Sequence, residues 1–510
     1  MGIGVEGSKT VKPRIKIGCY LVDMTDADVI VIGAGMAGLT AACKLALAGR
    51  KVLVLEQNYL PGGCTSSYWR KGFVFEAGAT TVVGLDEGMP LAKLLKDCQI
   101  EVPAQKLPIA MKVHRTDGFV MIRWSGLDDW ISEAEAFFGA AGQAPFWRAC
   151  KSIADFVWTT SLQQLQFPPQ TVSDLLACLR GLTWAQIKHL PLAFRTTDQL
   201  LKQYGLDKNP DFVNFVNEQL MITAQNTAEE VNALFGATAL CYTMLGNYYV
   251  PGGLLELVTP MVNYVERKQG KVLMRHPVKA VAQTAAGWQV STPKQTFMAK
   301  EVIFAIPLNN VVELLPSLAK RYRTQTMVSP QLASAFQIGI GYRPHRPIDS
   351  LHHQVHLKES LAAFGVGHPD RPGSIFISFS HPDDRYRADE PGLVVANVST
   401  HVFDPERHAA LDKGPLVEAI LARLADADLI MPDNIVYLHA SDPADWAKWT
   451  GRKWGFVGGY PQFNRIKPWQ MVGHRLPLKG AYLCGDTTYP GQGIPGACLS
   501  GLIVAEKMLG

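Results

Sequence analysis

Val29-Ile30-Val31-Ile32-Gly33-Ala34-Gly35-Met36-Ala37-Gly38 is the stretch on which the reading of this chain turns. Its apolar run fits a strand buried on both faces of a parallel sheet. Gly33 permits a tight turn, Gly35 lets a pyrophosphate approach the backbone, and Gly38 lets the next helix pack on the strand. That helix is expected from Met36, with Ala37 in its first turn, to about Leu47, and Gly49 ends it. A second strand, Val52-Leu53-Val54-Leu55, finishes at Glu56, eighteen residues past the third glycine. The carboxylate is placed to accept hydrogen bonds from both ribose hydroxyls of an adenosine. A ribose 2′-phosphate would be repelled, which disfavours NADP.

Other blocks extend this dinucleotide site. In Pro61-Gly62-Gly63-Cys64-Thr65, the two glycines allow a second backbone stretch to run along the ligand. An ordinary hairpin with glycines at its turn fits the same residues. Tyr249-Val250-Pro251-Gly252-Gly253-Leu254 opens a third segment, with a helix to about Lys268, then Val278 and a strand over Glu301–Pro307. Near the other end stands Tyr482-Leu483-Cys484-Gly485-Asp486-Thr487-Thr488-Tyr489-Pro490-Gly491-Gln492-Gly493-Ile494-Pro495-Gly496. An apolar strand runs there into Gly485-Asp486, a glycine-rich loop and a helix toward Met508. Asp486 can hold a phosphate-side or ribityl hydroxyl.

A fingerprint and a terminal motif separated by nearly the whole chain resemble the glutathione-reductase class of flavoproteins, where both ends of the chain hold one FAD. The order of the blocks resembles the carotenoid desaturase and isomerase group within the amine-oxidase superfamily. That group includes bacterial phytoene desaturase, hydroxycarotenoid 3,4-desaturases, carotenoid cis–trans isomerase and retinol saturase. Gly485 to Gly496 is the most specific wording, supported by Trp446-Ala447-Lys448-Trp449-Thr450-Gly451-Arg452 and on to Gly459. Glu76 departs from the aspartate usual at its position.

The resemblance implies an α/β fold: a discontinuous glutathione-reductase-type FAD-binding Rossmann domain beside a mixed-sheet and helical substrate domain. Residues 24–105, 249–310 and 466–510 are expected in the first, and 106–248 and 311–465 in the second, which also contacts the membrane. It implies that the backbone at Val278 meets the adenine. The N-terminus of the last helix, at Gly493 and Ile494, would face the flavin and stabilise the charge of its reduced ring. The implied activity is oxidation of a long apolar polyene, foremost carotenoid desaturation by hydride transfer to FAD, with a quinone or oxygen as the electron acceptor. Cis–trans isomerisation or saturation is the near alternative. An amine oxidase and a non-catalytic flavin or pigment carrier are the distant ones.

Bulk properties agree. A chain of 510 residues exceeds one ordinary core. The net charge of +4 is too small to argue for nucleic acid. Residues 1–23 read as a disordered leader. Nine scattered cysteines without a CxxC spacing point away from zinc and disulfides and toward a reducing cytosol.

The substrate half offers no catalytic wording. Ser, His and Asp do not gather as a triad, and no catalytic acid or base stands out. Aromatic and basic residues such as Trp158, Arg180, Trp184 and Lys188 lie on segments too short to cross a bilayer. They fit an ordinary helical lid, or a surface that dips into lipid and admits the polyene. Gly373–Phe379 and Gly392–Thr400 look like strands of a sheet floor. The run Asp383 to Arg387 reads as a solvated loop. His352, His353 and His356 read as a surface cluster without the carboxylate or cysteine a metal would want. His401 reads as a satisfied core histidine.

Overall fold

The computed structural model describes residues 27–368 and 371–510; the leader expected over residues 1–23 lies outside the described residues. Among the described residues two sheets of seven strands organise the chain. The first is built on the strand Ala27–Ile32, which pairs in parallel with Val52–Leu55 on one side and Thr296–Phe304 on the other. Alternation places Val29 and Val31 against one apolar layer and Ile30 and Ile32 against another, and all four are buried. The first layer contains the helices Met36–Leu47, Leu255–Arg267 and Gly493–Leu509. The second contains Leu308–Leu314.

Thr296–Phe304 is longer than its neighbours and is shared. Its first half pairs with Gly287–Ser291, and its second half pairs in parallel with Ala481–Leu483. This register brings the C-terminal motif beside the fingerprint. Helix Gly493–Leu509 then lies directly on Met36–Leu47. A Cβ placed on Gly501 would stand 2.4 Å from the carbonyl of Ala37, so only glycine allows this approach.

The second sheet runs in the order Ile435–Ser441, Ala333–Tyr342, Val394–Phe403, Ser374–Phe379, His352–His356, Ile109–His114, Val120–Trp124. One face buries Ile338, Ile340, Ile375, Ile377 and Val398 against helix Lys413–Asp426. Helices Leu127–Phe138, Gln143–Gln163, Pro210–Thr223 and Ala233–Leu240 build a separate core around Trp130, Trp147, Phe212 and Phe215.

Several expectations change. The strand expected over 301–307 starts earlier and ends at Phe304, since Thr296–Ala299 already pair with the Gly287–Ser291 strand. Residues 106–248 contribute two strands to the second sheet as well as helices. The three histidines are no surface cluster. Their strand has neighbours on both sides, and His352, His353 and His356 are buried. Nor is the charge run simply a solvated loop. Tyr386 is exposed, but Arg387 is buried and pairs with Glu76 at 2.6 Å. Asp384 accepts hydrogen bonds from the Tyr249 hydroxyl and the Gly252 N–H.

Candidate functional site

The three fingerprint glycines meet different surroundings. Gly33 has φ +105°, and a Cβ there would lie 2.7 Å from the Ala305 carbonyl. At Gly38 a Cβ would lie 2.2 Å from the Gly33 carbonyl. These two let helix and strands touch. A Cβ on Gly35 meets nothing within 4 Å, because Gly35 faces a cavity of about 840 Å³. Helix Met36–Leu47 starts at this opening with no side-chain cap and no acid in its first turn. The N–H groups of that turn have no partner within the helix.

Gly62 and Gly63, both at positive φ, carry the next loop alongside. The Gly62 N–H donates to the Ala34 carbonyl at 2.8 Å. Glu56 is buried at the end of its strand. Its Oε2 accepts from the Ala34 N–H and its Oε1 from the Asn58 N–H, both at 2.8 Å. Burial pushes the Glu56 carboxyl up from the ordinary carboxylate range, against the pull of those N–H donors. Val278 lines the same cavity.

The C-terminal motif closes the opposite side. Gly485 has φ +132°, and a Cβ there also meets nothing within 4 Å. Asp486 is not free, as its sequence reading supposes. Its Oδ2 accepts from Arg452 Nη2 at 2.5 Å, with both side chains mostly buried. Gly493 and Ile494 begin a second helix that has no side-chain cap and no acid in its first turn. Two uncapped helix starts therefore reach one cavity from opposite ends of the chain.

Sequence reasoning gave no role to Arg452, Gln225 or Gln492. Arg452 Nη1 is buried without a partner, as are Gln225 Oε1 and Gln492 Oε1, and all three residues line the cavity. The only signal for Arg452 was its place in the block from Trp446 to Gly459. Orphaned buried polar atoms, free N–H groups and open glycine faces together fit a long polar ligand carrying an anionic linkage.

Beyond this region the cavity continues between the second sheet and the helical layer. Trp158 lines it, with its indole nitrogen buried and unpartnered. It is therefore no external anchor. His401 is half-buried and also lines the cavity, rather than sitting in a core.

The flavin containing amine oxidoreductase family matches residues 36–509. The chain belongs to that family. It is an oxidoreductase and its cofactor is a flavin. It is 24% identical to prolycopene isomerase 2, chloroplastic, of an Oncidium hybrid cultivar, over 94% of this chain and 83% of that one. It is 26% identical to the all-trans-retinol 13,14-reductase of Danio rerio, over 90% of this chain and 82% of that one. The solved cyclohexylamine oxidase of Brevibacterium oxydans shares its fold, with a TM-score of 0.58 and 16% identity over 95% of this chain and 100% of that one. The membership accounts for the glutathione-reductase-type architecture of α/β layers beside a mixed sheet with helices.

Proposed function

We propose that this chain binds FAD and acts on carbon–carbon bonds of a long apolar polyene. One observation carries the reading: a single cavity leads from the fingerprint glycines to a chamber between the second sheet and the helices. In this reading Gly33, Gly35, Met36, Ala37 and Gly38 hold the pyrophosphate, with Gly62 and Gly63 alongside. Glu56 takes the ribose, and the backbone at Val278 takes the adenine. Gly485, Asp486, Gly493 and Ile494 serve the flavin end, where Arg452 fixes the Asp486 carboxylate. Open faces contributed by both ends of the chain favour FAD over the shorter reach of a nicotinamide site.

When bound, the flavin supplies a two-electron acceptor or donor. The protein's own residues align the polyene and exclude water, and the helix start at Gly493 offers a positive dipole end to developing negative charge. Desaturation, the leading expectation from the sequence, would send electrons on to a quinone or oxygen. The relatives named prolycopene isomerase and all-trans-retinol 13,14-reductase give isomerisation or saturation over reduced flavin at least equal standing. We also read the protein as cytoplasmic and attached to membrane surfaces from which a polyene is taken. Membrane attachment rests on the exposed apolar residues between 172 and 194, Val172 and Trp184 among them, and the compartment on the scattered cysteines.

Anaerobic mixing tests the reading. Bleaching of oxidised flavin by a partly saturated polyene, with a longer conjugated product, identifies a desaturase. Turnover of a cis-polyene by pre-reduced protein at unchanged product mass identifies an isomerase. A product heavier by one molecule of hydrogen identifies a saturase. Protein that purifies without flavin, or that changes none of these polyenes, would overturn the proposal.

A further inference from the structure

The chamber lies between a helical wall and a sheet wall. On the helical side Val157, Trp158, Ile222, Phe235 and Ala239 offer apolar surface among polar neighbours such as Gln219, Thr223 and Thr243. On the sheet side the cavity meets Gln337, His352, Phe376, Ser378, Ser399 and His401. Their register explains why they share a face. His352 pairs with Ser378, Phe376 with Ser399, and Ser399 with Gln337. Between them Ile338, Ile377 and Val398 point away and build the apolar core under helix Lys413–Asp426. The sheet thus turns its apolar side from the chamber and its hydrogen-bonding side toward it.

This polar wall is only partly satisfied from within. Ser378 Oγ bonds Thr80 Oγ1 at 2.9 Å and His352 Nδ1 at 2.8 Å. That short chain leaves His352 Nε2, which is buried and has no partner. His352 is 5% exposed. Either neutral tautomer leaves one hydrogen-bonding function unused at Nε2. Burial holds His352 and His401 down to about 4, so neither ring is a cation near pH 7. The charged residues lining the cavity, Glu56, Lys279, Glu313, Arg452 and Asp486, come from other segments than this wall.

We propose that the polyene carries an uncharged oxygen group, a hydroxyl or carbonyl, and that the His352–Ser378–Thr80 chain receives it. This rests on the polyene reading above and narrows it. A pure hydrocarbon would cover the wall without returning a hydrogen bond and would leave its polar groups unpaired. The nearby cation, Arg371, bears on His401 and already faces Glu218 at 4.0 Å, so a carboxylate would find no unshared cation there. The polyene chain lies along Val157, Trp158, Ile222 and Phe235, and its oxygen meets the sheet.

Matched ligands test this on the purified holoprotein. Retinol, its deoxy hydrocarbon and retinoic acid would be titrated while the flavin absorbance is followed. Zeaxanthin and β-carotene form a second pair differing only in hydroxyls. The hydroxylated member should bind about tenfold tighter or better, the scale set by one unpaired buried polar group. Ser378→Ala and His352→Leu should shrink that preference to about twofold by weakening the hydroxylated ligand alone, with flavin content unchanged. His352→Gln keeps a hydrogen-bonding side chain and should retain most of it. The proposal is overturned by equal or tighter binding of the hydrocarbons, by tightest binding of retinoic acid, or by variants that weaken both members alike. Failure of every polyene to bind would instead remove the polyene reading itself, and this proposal with it.

Discussion

Gly35 and Gly38 stand in one short motif, yet a side chain would do different harm at each. Gly35→Val pushes methyl groups into open space, so the protein should fold with near wild-type stability and lose its flavin. Gly38→Val forces atoms onto the Gly33 carbonyl, 2.2 Å from a Cβ, and should lower the melting temperature whether or not flavin is added. Thermal unfolding and the flavin-to-protein absorbance ratio separate the two; full flavin occupancy in the Gly35 variant would end the site assignment. Glu76 and Arg387 form a second residue-scale case. Glu76 also accepts from the Ser67 hydroxyl and the Leu254 N–H, so the buried pair ties three segments together. Arg387→Met leaves a buried carboxylate without its counter-charge and should cost about 3–5 kcal/mol in denaturant unfolding. Neither Arg387 nor its role was legible in the sequence, because its partner is 311 residues away. His352 was hidden for another reason. His-His-Gln-Val-His has no alternation of apolar and polar residues, and a strand polar on one face and paired on both edges leaves no periodic trace. The strand–glycine–helix geometry of the fingerprint, by contrast, is local, and its spacing displays it.

Among the elements, helices Val172–Arg180 and Trp184–His189 and the turn Leu190–Phe194 stand out by what they leave uncovered. Leu175, Leu176, Leu179, Leu182, Trp184, Ile187, Leu190 and Phe194 are all exposed, Trp184 at 84%. Arg180 and Lys188 lie on the same segments. Among the described residues no helix is long and apolar enough to cross a membrane. Such surface suits burial in a headgroup layer. Flotation with anionic liposomes should carry the protein upward, and Leu176→Glu with Leu179→Glu should abolish this while leaving the flavin bound. Unchanged flotation of that double variant would rule out these helices as the contact. Aromatic and basic composition pointed to this region, but could not tell which aromatics face out. Trp158 lies three residues from Ser161, whose hydroxyl meets Tyr489 at 2.9 Å, and so turns inward. The segment is not loosely hung. Lys507 of the terminal helix donates to Asp174 at 3.0 Å and to the Gln166 carbonyl at 2.8 Å. Burial draws the Lys507 ammonium down, while Asp174 holds it.

For the molecule as a whole, buried neutral histidines set a limit on acid tolerance. Burial lowers His352 and His356 to about 4, and His353 and His474 to about 3. In the unfolded chain each would titrate at about 6.5. Between these values the unfolded state binds more protons, so stability is fully present above the unfolded value and falls as pH drops toward 4. Urea midpoints measured from pH 7 to pH 4 should decline steadily. A flat profile would show that these rings are not held neutral. The first sheet was legible in outline, because parallel apolar strands and glycine-rich turns carry their own signatures; the second, antiparallel in all but one pairing, was expected only from the family resemblance and two apolar runs. The sharing of Thr296–Phe304 between two partners was not, since nothing local marks a strand that changes neighbour halfway.

That shared strand has a consequence in time. Translation makes Ala27–Ile32 and Thr296–Phe304 well before Ala481–Leu483, so the edge beside residues 302–304 stays unpaired until that partner strand is made. The fingerprint helix likewise waits for Gly493–Leu509 to lie against it. A nascent chain halted before residue 480 should therefore show the fingerprint half exposed to proteases and unable to retain its yellow cofactor. Cofactor loading therefore has to wait until helix Gly493–Leu509 has been made, and the edge stays open until then.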